Sequence, residues 1–153
     1  MELKSMLLPE KVVTFEFPGC DGFEVDLAFL SKESNQALFK KCQKTKFDRK
    51  TRQAVEEFDD ELFLDLYVGS ILKGWKGLKM KYLTEIVLLE VPPGAENKTL
   101  DYTHENAVDL MKSSSVFDQW VSEIISDLGN FMSNNTTKSL QESSSTSKSP
   151  AQV

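Results

Sequence analysis

The feature that most limits how this chain can fold is an abrupt change of composition at Ser133. Residues 133–153 contain seven serines and three threonines, and Leu140 and Val153 are their only large apolar residues. Such a segment buries too little apolar surface to offset the entropy that it would lose on ordering. The sequence therefore predicts a disordered Ser/Thr-rich tail over 133–153 and a compact domain over 1–132.

The charge and composition of the domain limit its partners and its location. The whole chain carries −6 and the tail carries +1, from Lys138, Lys148 and Glu142, so residues 1–132 carry −7. This excess of acid argues against a general nucleic-acid binder, which needs Lys and Arg to neutralise phosphates. No apolar run approaches the roughly 18 residues of a membrane span, and the first residues lack a signal-peptide pattern. We therefore expect a soluble cytoplasmic protein that makes no contact with a membrane.

Alternating apolar residues near the N-terminus predict a β-hairpin. Residues 11–17 carry Val13, Phe15 and Phe17 at every second position, and residues 23–30 alternate apolar with polar. A period of two with β-branched and aromatic side chains is typical of strands. The intervening residues 18–22, Pro-Gly-Cys-Asp-Gly, have the composition of a turn. We expect the two strands to pair antiparallel.

Helical spacing and capping residues predict helices after the hairpin. Ser31 can cap a helix over 32–43, and Asp59 can cap a helix with apolar positions over 62–71. Gly74 is placed to end that second helix in a left-handed conformation.

The second half of the domain is also predicted to be mainly helical. Residues 81–91 fit either a buried helix or a strand, and Pro92-Pro93-Gly94 ends the element in both interpretations. Thr103 can cap a helix over 104–112. The whole pattern indicates an α+β domain in which the N-terminal β-hairpin packs on a small helical domain.

The clearest helical pattern of the chain covers residues 117–132. Ser115, with Asp118 three residues later, resembles a capping box at its start. The apolar residues at helical spacing are Phe117, Trp120, Val121, Ile124, Ile125, Leu128, Phe131 and Met132. Such a stripe is core, or in part a groove or an oligomer face. The candidate partner-binding residues are Phe117, Trp120, Ile124 and Phe131.

The titratable residues form no catalytic or metal-binding motif. His104 is the only histidine and lies in the first turn of a predicted helix, which favours a surface or capping role. Cys20 and Cys42 are too far apart in sequence for a zinc or redox motif. The acids over 56–61 precede a helix, where the helix dipole favours negative charge.

A phosphate-binding loop is also rejected. Gly69 to Lys76 comes close to the required pattern, but Trp75 stands where that pattern needs Lys. We therefore expect a non-catalytic protein with no metal and no cofactor.

Basic residues gather between Lys40 and Arg52, where Asp48 is the only acid. They are Lys40, Lys41, Lys44, Lys46, Arg49, Lys50 and Arg52. The patch is either a solvated helix end and loop, favoured by the helix dipole, or a surface for an acidic partner or RNA. An acidic run from Glu56 to Asp65 follows, so a surface divided by charge is expected.

Two segments resemble a known family. Residues 70–78, Ser-Ile-Leu-Lys-Gly-Trp-Lys-Gly-Leu, resemble the W-K-G segment of tail assembly chaperones of bacteriophages with long, non-contractile tails. Residues 102–110, Tyr-Thr-His-Glu-Asn-Ala-Val-Asp-Leu, resemble that family's Y-x-x-E-N-A helix start. The last helix and the N-terminal hairpin are similarly placed, so the resemblance covers roughly residues 10–132.

The resemblance implies a chaperone of the host cytoplasm that is absent from the mature virion. Such proteins bind and solubilise the helical tape-measure protein and recruit tail-tube protein subunits. Many also exist in a longer form made by translational frameshifting, which implies a frameshift-extended form of this chain as a further partner. Oligomerisation is compatible with this role. Trp75, Lys40, Lys41, Lys44, Arg49 and Arg52 are the secondary partner-binding candidates.

Two alternatives remain open at this stage. A virion component, such as a minor tail or head-tail joining protein, fits the same small α+β composition. A nucleic-acid-binding regulator using the basic patch is the less favoured alternative, because the domain carries −7.

Overall fold

A computed structural model describes residues 1–8 and 10–132. Within them the helices are α1 (Leu3–Met6), α2 (Lys32–Cys42), α3 (Asp60–Ile71), α4 (Met80–Ile86), α5 (His104–Ser113), α6 (Ser115–Ser126) and α7 (Gly129–Met132). The strands are β1 (Val12–Glu16), β2 (Glu24–Ala28), β3 (Gln43–Asp48), β4 (Gln53–Phe58) and β5 (Leu72–Lys76). The predicted α+β class is confirmed. The predicted tail over 133–153 lies outside the described residues.

The N-terminal hairpin forms as predicted and becomes part of a three-stranded antiparallel sheet. Strand β1 pairs with β2, placing Phe15 opposite Val25. Strand β5 pairs along the other edge of β2, so the strand order is β1-β2-β5. Phe15, Val25 and Leu27 are almost completely buried, which is why the apolar alternation of this segment was readable in the sequence.

The prediction that Gly74 ends the second helix is wrong. Helix α3 ends at Ile71, and Gly74 lies inside β5 opposite Asp26. Leu72 and Trp75 point into the core from β5 and are 0% and 8% exposed. Pairing with β2 therefore decides the conformation of this segment, and local sequence carries no signal for a partner about 50 residues away in the chain.

Three predicted helix caps are confirmed. The Ser31 side chain accepts a hydrogen bond from Ser34 N at α2, and Asp59 accepts one from Leu62 N at α3. The Thr103 side chain accepts one from Asn106 N at α5. Residues 81–91, which fitted either structure, form the end of α4 and then an irregular segment after Ile86.

The region from Gln43 to Phe58 contains a second sheet that the sequence did not predict. Strands β3 and β4 pair antiparallel over six residues each, with Lys44 opposite Glu57 and Thr45 opposite Glu56. The predicted helix end and loop are therefore wrong for this segment beyond Cys42. Its strands carry charged residues where a buried strand would carry apolar ones, so period-two hydrophobicity was absent.

The core lies between the three-stranded sheet and the helices that pack on it. Helices α3 and α6 both contact β2, and α5 packs between them against each. Phe117 of α6 is completely buried, and its ring stacks on those of Phe17 and Phe23. Burial of such side chains is the main source of stability for a domain of this size.

Candidate interaction surface

The predicted last helix is two helices with a break between them. Helix α6 ends at Ser126, and α7 begins at Gly129. The Asp127 carboxylate accepts a hydrogen bond from Gly129 N at 2.9 Å, and Asn130 Nδ2 donates to the Ile124 carbonyl at 3.0 Å. These bonds satisfy polar groups at the junction and turn α7 back toward the sheet.

The break divides the four predicted partner-binding residues into two kinds. Phe117 and Phe131 are 0% and 3% exposed and belong to the core. Phe131 meets Phe15 edge-on and also contacts Phe29, with ring centroids 5.6 Å apart in both pairs. Trp120 and Ile124 are half-buried on α6 and keep some surface for a partner. The helical period identified the apolar stripe but not which of its residues the sheet covers.

Trp75 is also a core residue, and it joins the two segments that carry the family resemblance. Its Nε1 donates to the Leu100 carbonyl at 2.9 Å, and its ring meets Tyr102 edge-on at 5.1 Å. The Tyr102 hydroxyl donates to the Leu72 carbonyl at 2.8 Å, and burial raises the pKa of this phenol. The two aromatic residues therefore fasten β5 to the segment that leads into α5.

Gly77, which follows Trp75-Lys76, has a steric reason to be glycine. Its φ is +75°, and a Cβ built on it would lie 2.0 Å from the carbonyl oxygen of Gly22. Only a residue without a side chain allows the chain after β5 to pass so close to the turn between β1 and β2.

The predicted basic patch spans two elements. Lys40 and Lys41 lie in the last turn of α2, Lys44 lies on β3, and Arg49 and Arg52 lie in the turn of the β3–β4 ribbon. All five are exposed. Arg52 holds a left-handed φ of 55°.

The base of the β3–β4 ribbon is fixed by hydrogen bonds and ion pairs. Asp59 N donates to the Cys42 carbonyl at 2.8 Å. Lys44 pairs with Asp59 at 3.1 Å, and Lys46 pairs with Glu57 at 3.4 Å. The hydrogen bond from Leu62 N and the one from Lys44 lower the pKa of the Asp59 carboxyl.

Sequence reasoning placed Phe39, Phe63 and Tyr67 on apolar helix faces but missed Phe47 and Phe58, the aromatic residues of the ribbon itself. Phe39 contacts both Phe58 and Phe63, with ring centroids 5.4 and 4.8 Å apart, and Phe63 stacks on Tyr67 at 5.7 Å. Phe39 and Phe58 are 44% and 36% exposed. Phe47 is 67% exposed nearer the turn. The available signal was the presence of Phe47 and Phe58 within a strongly charged stretch, where a core residue is not expected.

A second apolar surface lies where the N-terminal segment meets α7. Leu8, Leu128 and Met132 are 74%, 51% and 70% exposed. With Phe29 and Phe131 they line a cleft of about 310 Å³. Met1, Leu3, Met6 and Leu7, which precede Leu8 in the chain, are also exposed but do not line this cleft. We call this surface the end cleft.

The single histidine links two helices at the surface, and the two cysteines are buried. His104 Nε2 lies 2.6 Å from Asp65 Oδ1, and this contact links α5 to α3 at the surface. Cys20 and Cys42 are buried free thiols, and burial raises the pKa of each. Within 1–8 and 10–132 no three His, Cys, Asp or Glu residues lie close enough to hold a metal ion. No helix in these ranges is long and apolar enough to cross a membrane.

One comparison with known proteins identifies the family. The sequence model of a family described as YdaY prophage protein matches residues 30–142, well over half of the chain. The matched range includes the β3–β4 ribbon and both the Trp75 and Tyr102 segments. No curated protein and no solved structure matches the chain significantly. The chain therefore belongs to the YdaY prophage protein family and is of phage origin.

Proposed function

We propose that this prophage protein is a non-catalytic tail assembly chaperone that keeps the tape-measure protein soluble in the host cytoplasm and recruits tail-tube subunits to it. The end cleft is the observation that carries this proposal. It combines a concave surface lined by both apolar and polar residues with the exposed side chains of Leu8, Leu128 and Met132, on a domain of net negative charge. A protein that holds an apolar helical partner needs such a surface together with a charge that keeps the complex soluble.

The geometry of the end cleft suits one face of an amphipathic helix. Phe29, Phe131, Leu128 and Met132 supply apolar lining. Glu10, Lys11, Ser31 and Ser34 supply polar lining. Apolar anchors in a groove with a polar rim are the usual arrangement for binding an amphipathic helix.

The resemblance to tail assembly chaperones supports the same proposal from sequence. Its two segments meet in the structure through Trp75 and Tyr102, and their role here is to fix the fold that presents the end cleft. A tape-measure protein is helical and apolar before assembly, so it is a suitable occupant. A frameshift-extended form of the chain is a further expected participant.

Co-expression with the tape-measure protein of the same prophage tests the proposal. We expect soluble tape-measure protein only when this chain is present, and we expect the complex to survive about 500 mM salt, because apolar contacts are not screened. Replacing Leu128 and Met132 by Asp should abolish recovery. Val116→Asp is the matched control, because Val116 is an apolar residue of α6 that is 53% exposed and lies outside the cleft.

The opposite result would contradict the proposal. If the tape-measure protein is recovered equally with the Leu128/Met132 variant, the end cleft is not the binding surface. If it is never recovered, the chaperone function is wrong. Detection of the chain at a fixed copy number in purified particles would favour the alternative of a virion component.

A further inference from the structure

The far end of the β3–β4 ribbon carries a charge opposite to that of the domain. Residues 46–55, which include the turn and the adjoining halves of both strands, contain four cations and one acid and so carry +3. Residues 1–132 as a whole carry −7. Every residue of 46–55 except Asp48 is exposed. We call residues 46–55 the ribbon tip.

The cations of the ribbon tip are available to a ligand. Arg49, Lys50 and Arg52 take part in none of the ion pairs found among residues 1–8 and 10–132. Lys46 lies 3.4 Å from Glu57, but both side chains are well exposed, so this pair is weak. The one acid of the tip, Asp48, accepts a hydrogen bond from Lys50 N at 2.9 Å, which uses its carboxylate within the turn. A polyanion at the tip therefore meets three cations that have no carboxylate partner.

The base of the ribbon has no such excess of one sign. Lys40 and Lys41 are exposed at the end of α2, and Asp60 and Glu61 are exposed at the start of α3. These two elements adjoin the two strands at the same end of the ribbon, so charges of both signs stand there together. The attraction for an anion is thus confined to the tip.

Phe47 places an uncovered aromatic ring among the cations of the tip. Its side chain is 67% exposed, and the residue opposite it on β4 is Ala54, which is too small to cover the ring. Within the described part of the chain the ring clusters of the ribbon base, formed by Phe39, Phe58 and Phe63, do not include it. Exposed aromatic rings on which bases stack, with cations that pair with the flanking phosphates, are typical of surfaces that bind single-stranded nucleic acid. An acidic protein would use the cations but not the ring.

We propose that the ribbon tip binds single-stranded nucleic acid, with a base stacked on Phe47 and phosphates paired with Arg49, Lys50 and Arg52. A duplex is a poorer ligand, because its bases are already stacked on one another. It also carries about twice the charge per unit length, so the acidic body of the domain repels it more strongly. The charge of −7 thus limits binding to a short stretch of strand at the tip. This inference does not depend on the proposed chaperone function, because it concerns a different surface from the end cleft.

The number of cations sets the strength of binding and its response to salt. Three cations neutralise about three phosphates of a single strand, so the logarithm of Kd should rise with the logarithm of the salt concentration with a slope of about 2. Contacts so few give a weak complex, with a Kd on the order of 10⁻⁵ M at low salt.

Fluorescence anisotropy of a dye-labelled oligothymidylate of about 12 nucleotides, titrated with the full chain between about 20 and 200 mM salt, tests the inference. Binding with the stated slope is expected. An oligouridylate of the same length should bind similarly, because neither stacking nor phosphate pairing involves the 2′-hydroxyl. A preference for either strand would still support the inference and would identify the natural form of the ligand.

The ring and the cations are separated by their effects on the salt slope. Phe47→Leu removes the stacking surface but no charge, so Kd should rise about fivefold or more while the slope stays the same. Val55→Ala is the matched control. Val55 is 43% exposed and pairs with Lys46, so it lies on the opposite face of the same ribbon from Phe47, and this variant should bind like the wild type.

A double variant, Arg49→Gln with Lys50→Gln, should lower the slope to about 0.7, the value for one remaining phosphate contact. Lys81→Gln with Lys112→Gln is the matched control, because it makes the same change of net charge at exposed positions outside the ribbon. This control should keep the slope of the wild type. Circular dichroism of each variant verifies that it is folded.

Three outcomes would overturn the inference. One is the absence of binding at low salt with up to about 500 µM of the wild-type chain. Another is a duplex of the same length that binds as tightly as the single strand. The third is a Phe47→Leu variant that binds like the wild type while polyglutamate of equal charge displaces the oligonucleotide, because the tip would then be a general surface for acidic proteins.

Discussion

The start of α6 depends on which of two adjacent serines caps it. The sequence favoured Ser115, because Asp118 three residues later resembles a capping box. In the structure Ser114 is the cap: it is 1% exposed, and its hydroxyl accepts a hydrogen bond from Phe117 N at 3.1 Å. The preceding helix α5 ends at Ser113, so this one buried hydroxyl also fixes the corner between the two helices.

Replacing these serines one at a time should separate the two assignments. Ser114→Ala leaves the Phe117 amide without its partner and should lower the free energy of unfolding by about 1–2 kcal/mol. Ser115→Ala changes an exposed first-turn residue and should alter it by less than about 0.5 kcal/mol. Urea unfolding followed by circular dichroism measures both. Equal effects would show that the cap is assigned to the wrong residue.

Asp59 gives the domain a stability contribution that depends on pH. The hydrogen bond from Leu62 N and the Lys44 ammonium hold its folded-state pKa below the ordinary value of 3.8. The unfolded chain therefore takes up the proton at a higher pH than the folded one, so this contribution is present above pH 3.8 and is lost as the pH falls through the lowered pKa.

The variant Asp59→Asn isolates this effect, because Asn still caps a helix but carries no charge. We expect the wild type to unfold at higher urea than the variant near about pH 6, and the difference to shrink toward about pH 3. Urea titrations at several pH values provide the measurement. A difference that stays constant with pH would show that the Asp59 charge contributes nothing to stability.

The helices and strands that could be predicted from the sequence are those whose own residues show the expected pattern. The β1–β2 hairpin has apolar alternation and a turn between its strands, and Thr103 caps α5 with its own side chain. Strand β5 and the β3–β4 ribbon had no such signal. The first is a strand because β2 lies beside it, and the second pairs through charged and polar residues that resemble a loop in sequence.

The candidate site was foreseeable only in part for the same reason. Helical spacing marked Phe117 and Phe131 as well as Trp120 and Ile124, but spacing does not reveal what covers each residue. The end cleft depends on Leu8 and Phe29 meeting α7, and no local pattern joins residues that are about 100 positions apart in the chain.

Immediately after β5 the chain passes close to the β1–β2 turn, and the contact is made at Gly77. Gly77 is therefore the residue of this segment that tolerates substitution least. Gly77→Ala would place a Cβ 2.0 Å from the Gly22 carbonyl oxygen at a left-handed φ, so we expect a loss of at least about 3 kcal/mol. Gly94→Ala has a similar φ of +83° but no atom within 4 Å, and should cost about 1 kcal/mol. Differential scanning calorimetry of the two variants compares them. Similar losses of stability would mean that the left-handed φ, and not the close contact with the Gly22 carbonyl oxygen, is the reason for glycine at position 77.

For the whole molecule, stability is expected to be divided between the core domain and the ribbon. The three-stranded sheet is buried under α3, α5 and α6, whereas the β3–β4 ribbon is exposed on both faces. Regions with few buried apolar contacts open more readily than the core around them. Hydrogen exchange in dilute solution should therefore be faster for β3 and β4 amides than for β2 amides. Protection of β3 and β4 as strong as that of β2 in dilute solution would contradict the division of stability between the two parts.

The two cysteines make this division observable by simple chemistry. Cys42 lies where α2 passes into the ribbon, and Cys20 lies in the turn between β1 and β2, with 0% and 3% of their surfaces exposed. A thiol shielded in this way reacts with an alkylating reagent only after its surroundings open. The chain therefore contains two natural probes of local opening, one in each part of the fold. The order in which the Cys42 and Cys20 thiols are alkylated shows which part opens first.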